Sequence, residues 1–107
     1  MKTTKELLGG RIKEFRKLRK LSQEQLAEKV NIDPKHLSRI EVGRGFPSLD
    51  TLENLAKALN VELKDFFEFA HNTPNKKELK ETLNSLLKGA DEERLRLLVK
   101  IVRAVAR

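Results

Sequence analysis

Two short amphipathic helix patterns lie between Leu21 and Gly43, each with its own start signal, and only a few residues separate them. Ser22, with Gln25 three residues later, forms a capping-box pattern at the start of the first helix. Asp33 is a good N-cap for the second helix, and the proline after it suits the first helical position. Gly43 supplies a left-handed stop. The pattern therefore predicts two short helices joined by a tight turn.

The second of these helices opens with Pro34, Lys35 and His36 and carries Arg39 one turn later. Short polar and basic side chains at the start of such a helix are suited to contacting base edges in the major groove. The arrangement predicts a helix-turn-helix that binds double-stranded DNA.

Further helix patterns surround this pair and predict a compact all-α domain. A first helix capped by Thr4 reaches about residue 20, although Gly9 and Gly10 weaken it and leave open a start after them. A fourth helix is capped by Ser48 and ends at Asn60. A short fifth helix is expected over about residues 61–69, which gives five helices around one core.

The chain divides into three parts. Residues 1–70 hold the five predicted helices, and residues 71–75 are polar and helix-breaking, so they are expected to form a linker. Residues 76–107 carry two more helix patterns, the first ending at Gly89 and the second capped by Asp91.

The net charge of +7 is unevenly spread along the 107 residues. Residues 1–20 hold eight Lys and Arg against two Glu, whereas residues 21–70 hold six basic against nine acidic residues. A basic arm beside a reading helix would attract a polyanion and make binding salt-dependent, although such residues also simply solvate helix faces.

Composition also excludes several classes of function. Without cysteine the chain has no disulfide, cysteine-ligated zinc site or thiol chemistry, and two histidines are too few for a convincing metal site. We see no paired carboxylates, nucleophile–base pair or cofactor loop, so we expect neither an enzyme nor a bound cofactor. No apolar run approaches a membrane span, and no signal-peptide pattern follows Met1. A cytoplasmic, nucleoid-associated protein is therefore expected.

Several motifs at consistent spacing carry a resemblance to a known family: Arg16, LSQEQLA at 21–27, SRIE at 38–41 with Gly43, PSL at 47–49 and LAKAL at 55–59. The chain resembles the XRE-type (lambda-repressor and Cro-like) helix-turn-helix family over roughly residues 8–69. The resemblance implies a five-helix DNA-binding domain.

The resemblance also implies roles for individual residues. Lys35 is the best candidate for base contact, Arg39 is expected to read a base or hold a phosphate, and Pro34 offers only apolar contact. The implied phosphate contacts are Gln23, His36, Ser38, Arg44 and Ser48, the last through the backbone amides that open the fourth helix. Arg16 and Glu41 are implied to form an ion pair that holds the reading helix. Asn31 stands where relatives usually have glycine, and asparagine also tolerates a left-handed backbone.

The last helix pattern is unusually apolar, because its hydrophobic residues cover roughly 240° of a helical wheel, whereas an ordinary surface helix buries a stripe of about 100°. It therefore needs a second burial partner, and we expect a homodimer that uses Leu95, Leu98, Val102 and Val105. Such a dimer would set two reading helices about 34 Å apart over an inverted-repeat operator. The alternative is a helix covered entirely by its own chain.

Two classes of function remain after the sequence is read. The leading hypothesis is a bacterial or phage-type transcriptional regulator, most simply a repressor that binds an inverted-repeat operator as a homodimer. The alternative is a protein-interaction module or an antitoxin-like partner protein that uses the helical tail to bind another protein.

Overall fold

The computed structural model describes residues 2–72, 84–85 and 87–105, and for residues 69–72 and 100–105 it describes the backbone alone. All regular structure in these residues is helical, which confirms the all-α prediction. Four α-helices are followed by a 3-10 helix and a C-terminal helix: α1 (Thr4–Leu18), α2 (Gln23–Val30), α3 (Pro34–Glu41), α4 (Leu49–Leu59), the 3-10 helix (Leu63–Asn72) and the C-terminal helix (Glu92–Val105).

The start of α1 differs by one residue from the prediction. Thr3, not Thr4, is the N-cap: its Oγ1 accepts from the Glu6 N–H at 3.1 Å, and Glu6 Oε1 accepts from the Thr3 N–H at 3.0 Å. Thr4 is the first helical residue and is fully buried. The backbone N–H of Thr3 and its hydroxyl together lower the pKa of Glu6.

The predicted caps of α2 and α3 are confirmed. Gln25 N donates to Ser22 Oγ at 3.0 Å, and Ser22 N donates back to Gln25 Oε1 at 2.8 Å. Asp33 Oδ1 accepts from the backbone N–H of Lys35 at 2.8 Å. Asn31 ends α2 at φ 58°, in the left-handed region expected for it. The turn between the two helices is therefore closed by local hydrogen bonds at both ends.

The helices enclose one hydrophobic core. α3 packs on α1 and α2, α4 packs on α2, and the 3-10 helix packs on α1. The largest side chains that are fully buried in this core are Leu8, Ile12, Leu26, Leu37, Ile40, Leu52, Leu55, Leu59, Phe66 and Phe67. Because α3 is only eight residues long, its orientation depends on this packing more than on its own helix propensity.

Gly9 determines how closely α1 approaches α3. A Cβ built on Gly9 would lie 2.1 Å from the carbonyl oxygen of Ile40 and 2.8 Å from that of Glu41. The helix nevertheless continues through Gly9 and Gly10, so the alternative start after the two glycines is wrong. Glycine is present here because the backbone of α3 occupies the space of a side chain.

The C-terminal helix packs against the 3-10 helix, and Leu98, which is 3% exposed, joins the core. The prediction that Leu98 lies in a dimer interface is therefore wrong, because its own chain already covers the side chain. Leu95 remains 39% exposed and Val99 48% exposed. For Val102 and Val105 the structure describes only the backbone, so the predicted role of their side chains in a dimer stays a prediction.

The predicted linker is shorter than expected at its start. The 3-10 helix continues to Asn72, so residues 71 and 72 are helical, and residues 73–75 lie outside the described part of the chain. Of the first predicted tail helix, residues 84, 85 and 87 are described and are helical, and Gly89 follows with φ 73°. Within the described residues, no helix is both long and apolar enough to cross a membrane.

Candidate nucleic-acid interface

The three residues predicted to read bases lie on the solvent-facing side of α3. Pro34, Lys35 and Arg39 are all exposed, whereas Leu37 and Ile40 on the opposite side are buried in the core. Lys35 and Arg39 are one turn apart and therefore share one face of the helix. We call Lys35 and Arg39, with Pro34 at the helix start, the α3 stripe. Two cations are thus presented on a short helix whose other side is anchored.

His36 and Ser38 lie beside the α3 stripe and are half-buried. A side chain in that position can contact the backbone of a bound nucleic acid while the stripe faces the bases. Their placement fits the predicted phosphate role.

A buried ion pair holds the end of α3. Arg16 Nε lies 2.7 Å from Glu41 Oε2, and Arg16 Nη2 lies 3.0 Å from Glu41 Oε1, so the contact is bidentate. The third nitrogen, Nη1, donates to the carbonyl oxygen of Leu21 at 2.8 Å. The predicted pair is therefore present, and it joins α1, the start of the turn and the last residue of α3.

Gln23 takes part in the same network. Its Nε2 donates to Glu41 Oε1 at 3.0 Å, and the side chain is half-buried. An amide nitrogen carries two hydrogens, so one remains for a phosphate oxygen after the bond to Glu41 is made. The sequence indicated Gln23 only as a phosphate contact and did not reveal that it also connects α2 to α3.

The loop after α3 presents Arg44 to solvent. Gly43 has φ 80°, and the backbone N–H groups of Arg44 and Gly45 donate to the carbonyl oxygen of Arg39 at 2.8 and 3.1 Å. Both bonds go to one carbonyl oxygen in the last turn of α3, and they hold the backbone of Arg44 against the end of the helix.

Ser48 is exposed, but its hydroxyl is already engaged. Ser48 Oγ accepts from the Thr51 N–H at 3.1 Å and donates to Thr51 Oγ1 at 3.0 Å. The groups left for an anion are the backbone N–H groups that open α4, which have no partner within the helix. The phosphate contact at Ser48, which the sequence assigns to these backbone groups, stays a prediction, and the hydroxyl is already engaged with Thr51.

The basic charge of α1 is only partly available to a ligand. Arg19 Nε donates to the carbonyl oxygen of Leu59 at 2.8 Å, at the end of α4, and Arg11 Nη2 donates to that of Asp65 at 3.1 Å. With Arg16, three of the eight basic residues among residues 1–20 hold the fold together. The lysines of α1 are exposed and keep their charge at the surface.

Val42 was not predicted as part of the site. It follows α3 directly, lies three positions after Arg39 on the same face, and is 54% exposed. An apolar side chain at the end of the α3 stripe is suited to contact with deoxyribose or a thymine methyl group. Exposed valine is common enough on protein surfaces that the sequence alone did not single it out.

Across the described residues, no cluster of three or more His, Asp or Glu side chains is arranged to hold a metal ion. The described residues of the site present hydrogen-bond donors and cations on a helical scaffold, an arrangement suited to binding an anion.

Comparison with known proteins places these features in a family. The family model HTH_3, described as helix-turn-helix, matches residues 12–66, just over half of the chain. The immunity repressor protein of Bacillus phage phi105 is 52% identical over 56 residues, which are 52% of this chain and 39% of that protein. The chain thus spans about two fifths of the length of that relative.

Two further matches extend beyond the helix-turn-helix. The HTH-type transcriptional regulator SinR of Bacillus subtilis is 31% identical over 85 residues, 78% of this chain and 77% of SinR. A solved structure of a SinR protein/SinI protein complex matches with a TM-score of 0.57 and 27% identity, over 90% of this chain and 94% of that chain.

Proposed function

The chain belongs to the helix-turn-helix family HTH_3, a family of DNA-binding transcriptional regulators and not of enzymes, and from this membership we propose that it is a repressor that binds an inverted-repeat operator as a homodimer. The observation that carries the proposal is the α3 stripe: two exposed cations, Lys35 and Arg39, on a short helix held by a buried bidentate ion pair.

The α3 stripe supports separate roles for different residues, some contacting bases and others contacting phosphates. Lys35 donates to guanine O6 and N7 in the major groove, Arg39 contacts a base or a phosphate, and Pro34 makes apolar contact only. Phosphates are held on both sides of the groove by the second amide hydrogen of Gln23, by His36 and Ser38, by Arg44, and by the backbone amides after Ser48.

The buried ion pair supports specificity. Direct readout needs side chains placed to within a fraction of an ångström, and a helix of eight residues is not rigid by itself. Arg16 and Glu41 connect the end of α3 to α1, so the α3 stripe keeps one orientation before DNA is bound.

Repression follows from occlusion, since a dimer on an operator excludes other proteins from the same DNA. The phage relative with 52% identity carries the name immunity repressor, which supports this direction of regulation. A protein with this function acts on chromosomal or phage DNA, so its proposed location is the nucleoid in the cytoplasm.

The C-terminal helix supports the dimer. Leu95 and Val99 are four positions apart, so they lie on one face of the helix and leave apolar surface uncovered by the described part of the chain. A second copy of the helix would cover that surface on both protomers in a two-fold arrangement. Two α3 stripes would then lie about one DNA turn apart, roughly 34 Å.

Selection from a pool of random duplexes tests the proposal as a whole. We expect an enriched site with two inverted half-sites, and binding of that duplex that weakens steeply as salt is added. Absence of any enriched sequence, together with absent binding at low salt by fluorescence anisotropy, would contradict DNA recognition.

Lys35 provides the residue-level test, with Lys57 as a charge-matched control in the last turn of α4. Lys35→Ala is expected to lower discrimination by about 1–3 kcal/mol at one base position, whereas Lys57→Ala leaves discrimination unchanged. Equal effects of the two substitutions would show that Lys35 supplies only charge.

A protein partner is the second candidate function, since the matched SinR/SinI complex covers 90% of this chain and so includes part of the C-terminal helix. In this alternative, the exposed face of that helix binds a different protein. Sedimentation of the pure chain distinguishes the two: a homodimer supports self-association, and a monomer favours a partner of another kind.

A further inference from the structure

Arg94 connects the first turn of the C-terminal helix to α4. Its Nε lies 2.5 Å from Asp50 Oδ1 and 3.2 Å from Glu53 Oε1, and both carboxylates belong to α4. Its Nη1 lies 3.2 Å from Asp91 Oδ2. One guanidinium therefore contacts three carboxylates, two of them on the DNA-binding domain.

Arg94 is more buried than Arg96, which lies on the same helix. The side chain of Arg94 is 32% exposed, whereas that of Arg96 is 76% exposed and pairs with Glu92 within the helix at 2.7 Å. An exposed pair of the second kind adds little to stability. The contacts of Arg94 differ in that they join two elements, and one of its partners on α4, Glu53, is only 24% exposed, while Asp50 is 66% exposed.

An apolar contact lies one turn further along on the same face. Leu97, three positions after Arg94, packs against the core, and Leu98, four positions after it, is part of the core. The C-terminal helix is thus attached at two successive turns, by ions and then by hydrophobic contact. Two attachment points fix the direction of a helix, whereas one would fix only its position.

Beside this attached face, Leu95 is 39% exposed and Val99 is 48% exposed, so part of each apolar side chain remains available for contact. If Leu95 and Val99 contact a second copy of the chain, the C-terminal helix that carries them has a defined angle to α4. Through the core, it also has a defined angle to α3. The relative placement of the two α3 stripes in a dimer then depends on how firmly the helix is attached.

We propose that Arg94 is a positioning residue that fixes this angle and thereby determines which spacing between operator half-sites the dimer accepts. The inference rests on the proposed function, because it requires a dimer that binds two half-sites. One added base pair moves a half-site by about 3.4 Å and rotates it by about 35° around the DNA axis. If the C-terminal helix is held at a fixed angle, the dimer can no longer bind both half-sites after the spacer changes. If the helix is flexibly attached, the dimer can adjust and still bind both.

The experiment compares operators that differ only in spacer length. Fluorescence anisotropy is measured on the selected duplex, on versions with the spacer shortened or lengthened by one and two base pairs, and on a duplex with one half-site. Wild type and the control Arg96→Gln are expected to lose about tenfold or more in affinity when the spacer is wrong, because simultaneous engagement fails. Arg94→Gln is expected to lose less than about threefold while its half-site affinity stays within about twofold of wild type.

A charge reversal provides the stronger perturbation if the neutral variant leaves the helix attached through Leu98. Arg94→Glu places a third carboxylate against Asp50 and Glu53, so it should relax spacer discrimination further. Adding Glu53→Arg to Arg94→Glu restores an opposite-charge pair and should recover the spacer discrimination. Thermal unfolding by circular dichroism checks that each variant is folded.

The outcomes separate this proposal from the function on which it depends. If wild type binds no duplex, the proposed function fails and spacer measurements are not reached. If wild type binds as a dimer but both Arg94 variants keep its spacer discrimination, the positioning role is overturned. A fall in half-site affinity equal to the change in discrimination also overturns it, because that result indicates general loss of structure.

Discussion

Two adjacent glycines in α1 give opposite predictions for the same substitution. A Cβ on Gly9 would lie 2.1 Å from the carbonyl oxygen of Ile40 and 2.8 and 2.9 Å from backbone atoms of Glu41. A Cβ on Gly10 would meet no atom within 4 Å. Both residues lie inside α1, so the gain in helix propensity on replacing glycine with alanine is the same for both.

The magnitude follows from the distances. Ordinary contact of a Cβ begins at 3.4 Å, so α1 and the end of α3 must separate by about 1 Å, and backbone atoms cannot rotate away as a side chain can. Overpacking of this kind costs roughly 1–3 kcal/mol, occasionally more. We expect Gly9→Ala to lower the free energy of unfolding by about 2 kcal/mol and Gly10→Ala to raise it by about 0.5–1 kcal/mol.

Urea denaturation followed by circular dichroism measures both variants against wild type. In thermal unfolding, the two variants of a chain of this size should differ by roughly 10 °C in Tm. Gly9→Ala should also weaken DNA binding, because the displaced residues are the last turn of α3. A Gly9→Ala variant as stable as Gly10→Ala would refute the close approach of α1 to α3.

Three further predictions concern the caps and the buried network. Arg16→Met leaves the carboxylate of Glu41 buried without its partner, so urea denaturation should show a loss of about 3–5 kcal/mol; a loss below about 1 kcal/mol would contradict the burial. The lowered pKa of Glu6 means that its capping bond to Thr3 stabilises the fold above the unfolded pKa near 4.5 and is lost as pH falls through the folded pKa. Glu6→Gln should therefore flatten the acid side of a plot of unfolding free energy against pH, and an unchanged slope there would exclude this contribution. Gln23→Ala should weaken selected and unselected duplexes by the same factor in anisotropy, and a change in base preference would show that Gln23 acts through the orientation of α3.

Local features of the fold were predictable because their partners are close in sequence. The capping box of Ser22 and Gln25 and the left-handed Asn31 depend on residues within one turn. The error at α1 is of the same local kind: Thr3 has Glu6 three residues later, whereas Thr4 has Leu7 there. The signal for the correct cap was therefore present in the sequence.

Contacts between distant residues were not predictable in the same way. Arg19 binds a carbonyl at Leu59, and Arg94 binds Asp50, so the role of each arginine depends on packing that no local pattern encodes. Leu98 was assigned to the wrong partner because a helix that is apolar over most of its circumference does not indicate which side faces its own domain.

The candidate site contains both kinds of feature: some could be predicted from the local sequence and others depend on distant contacts. The exposure of Lys35 and Arg39 follows from the helical period, because Leu37 and Ile40 must face the core. The link from Gln23 to Glu41 joins residues eighteen positions apart and became visible only when α2 and α3 were placed in space.

The central claim is that the exposed face of α3 reads DNA, and amide chemical-shift mapping tests it most directly. The ¹⁵N-labelled chain is titrated with the selected duplex, and the shifts of all backbone amides are followed. We expect the largest changes at Lys35–Arg39 and at Arg44–Ser48, with small changes along the C-terminal helix. Shifts confined to the C-terminal helix, with α3 unaffected, would contradict the claim.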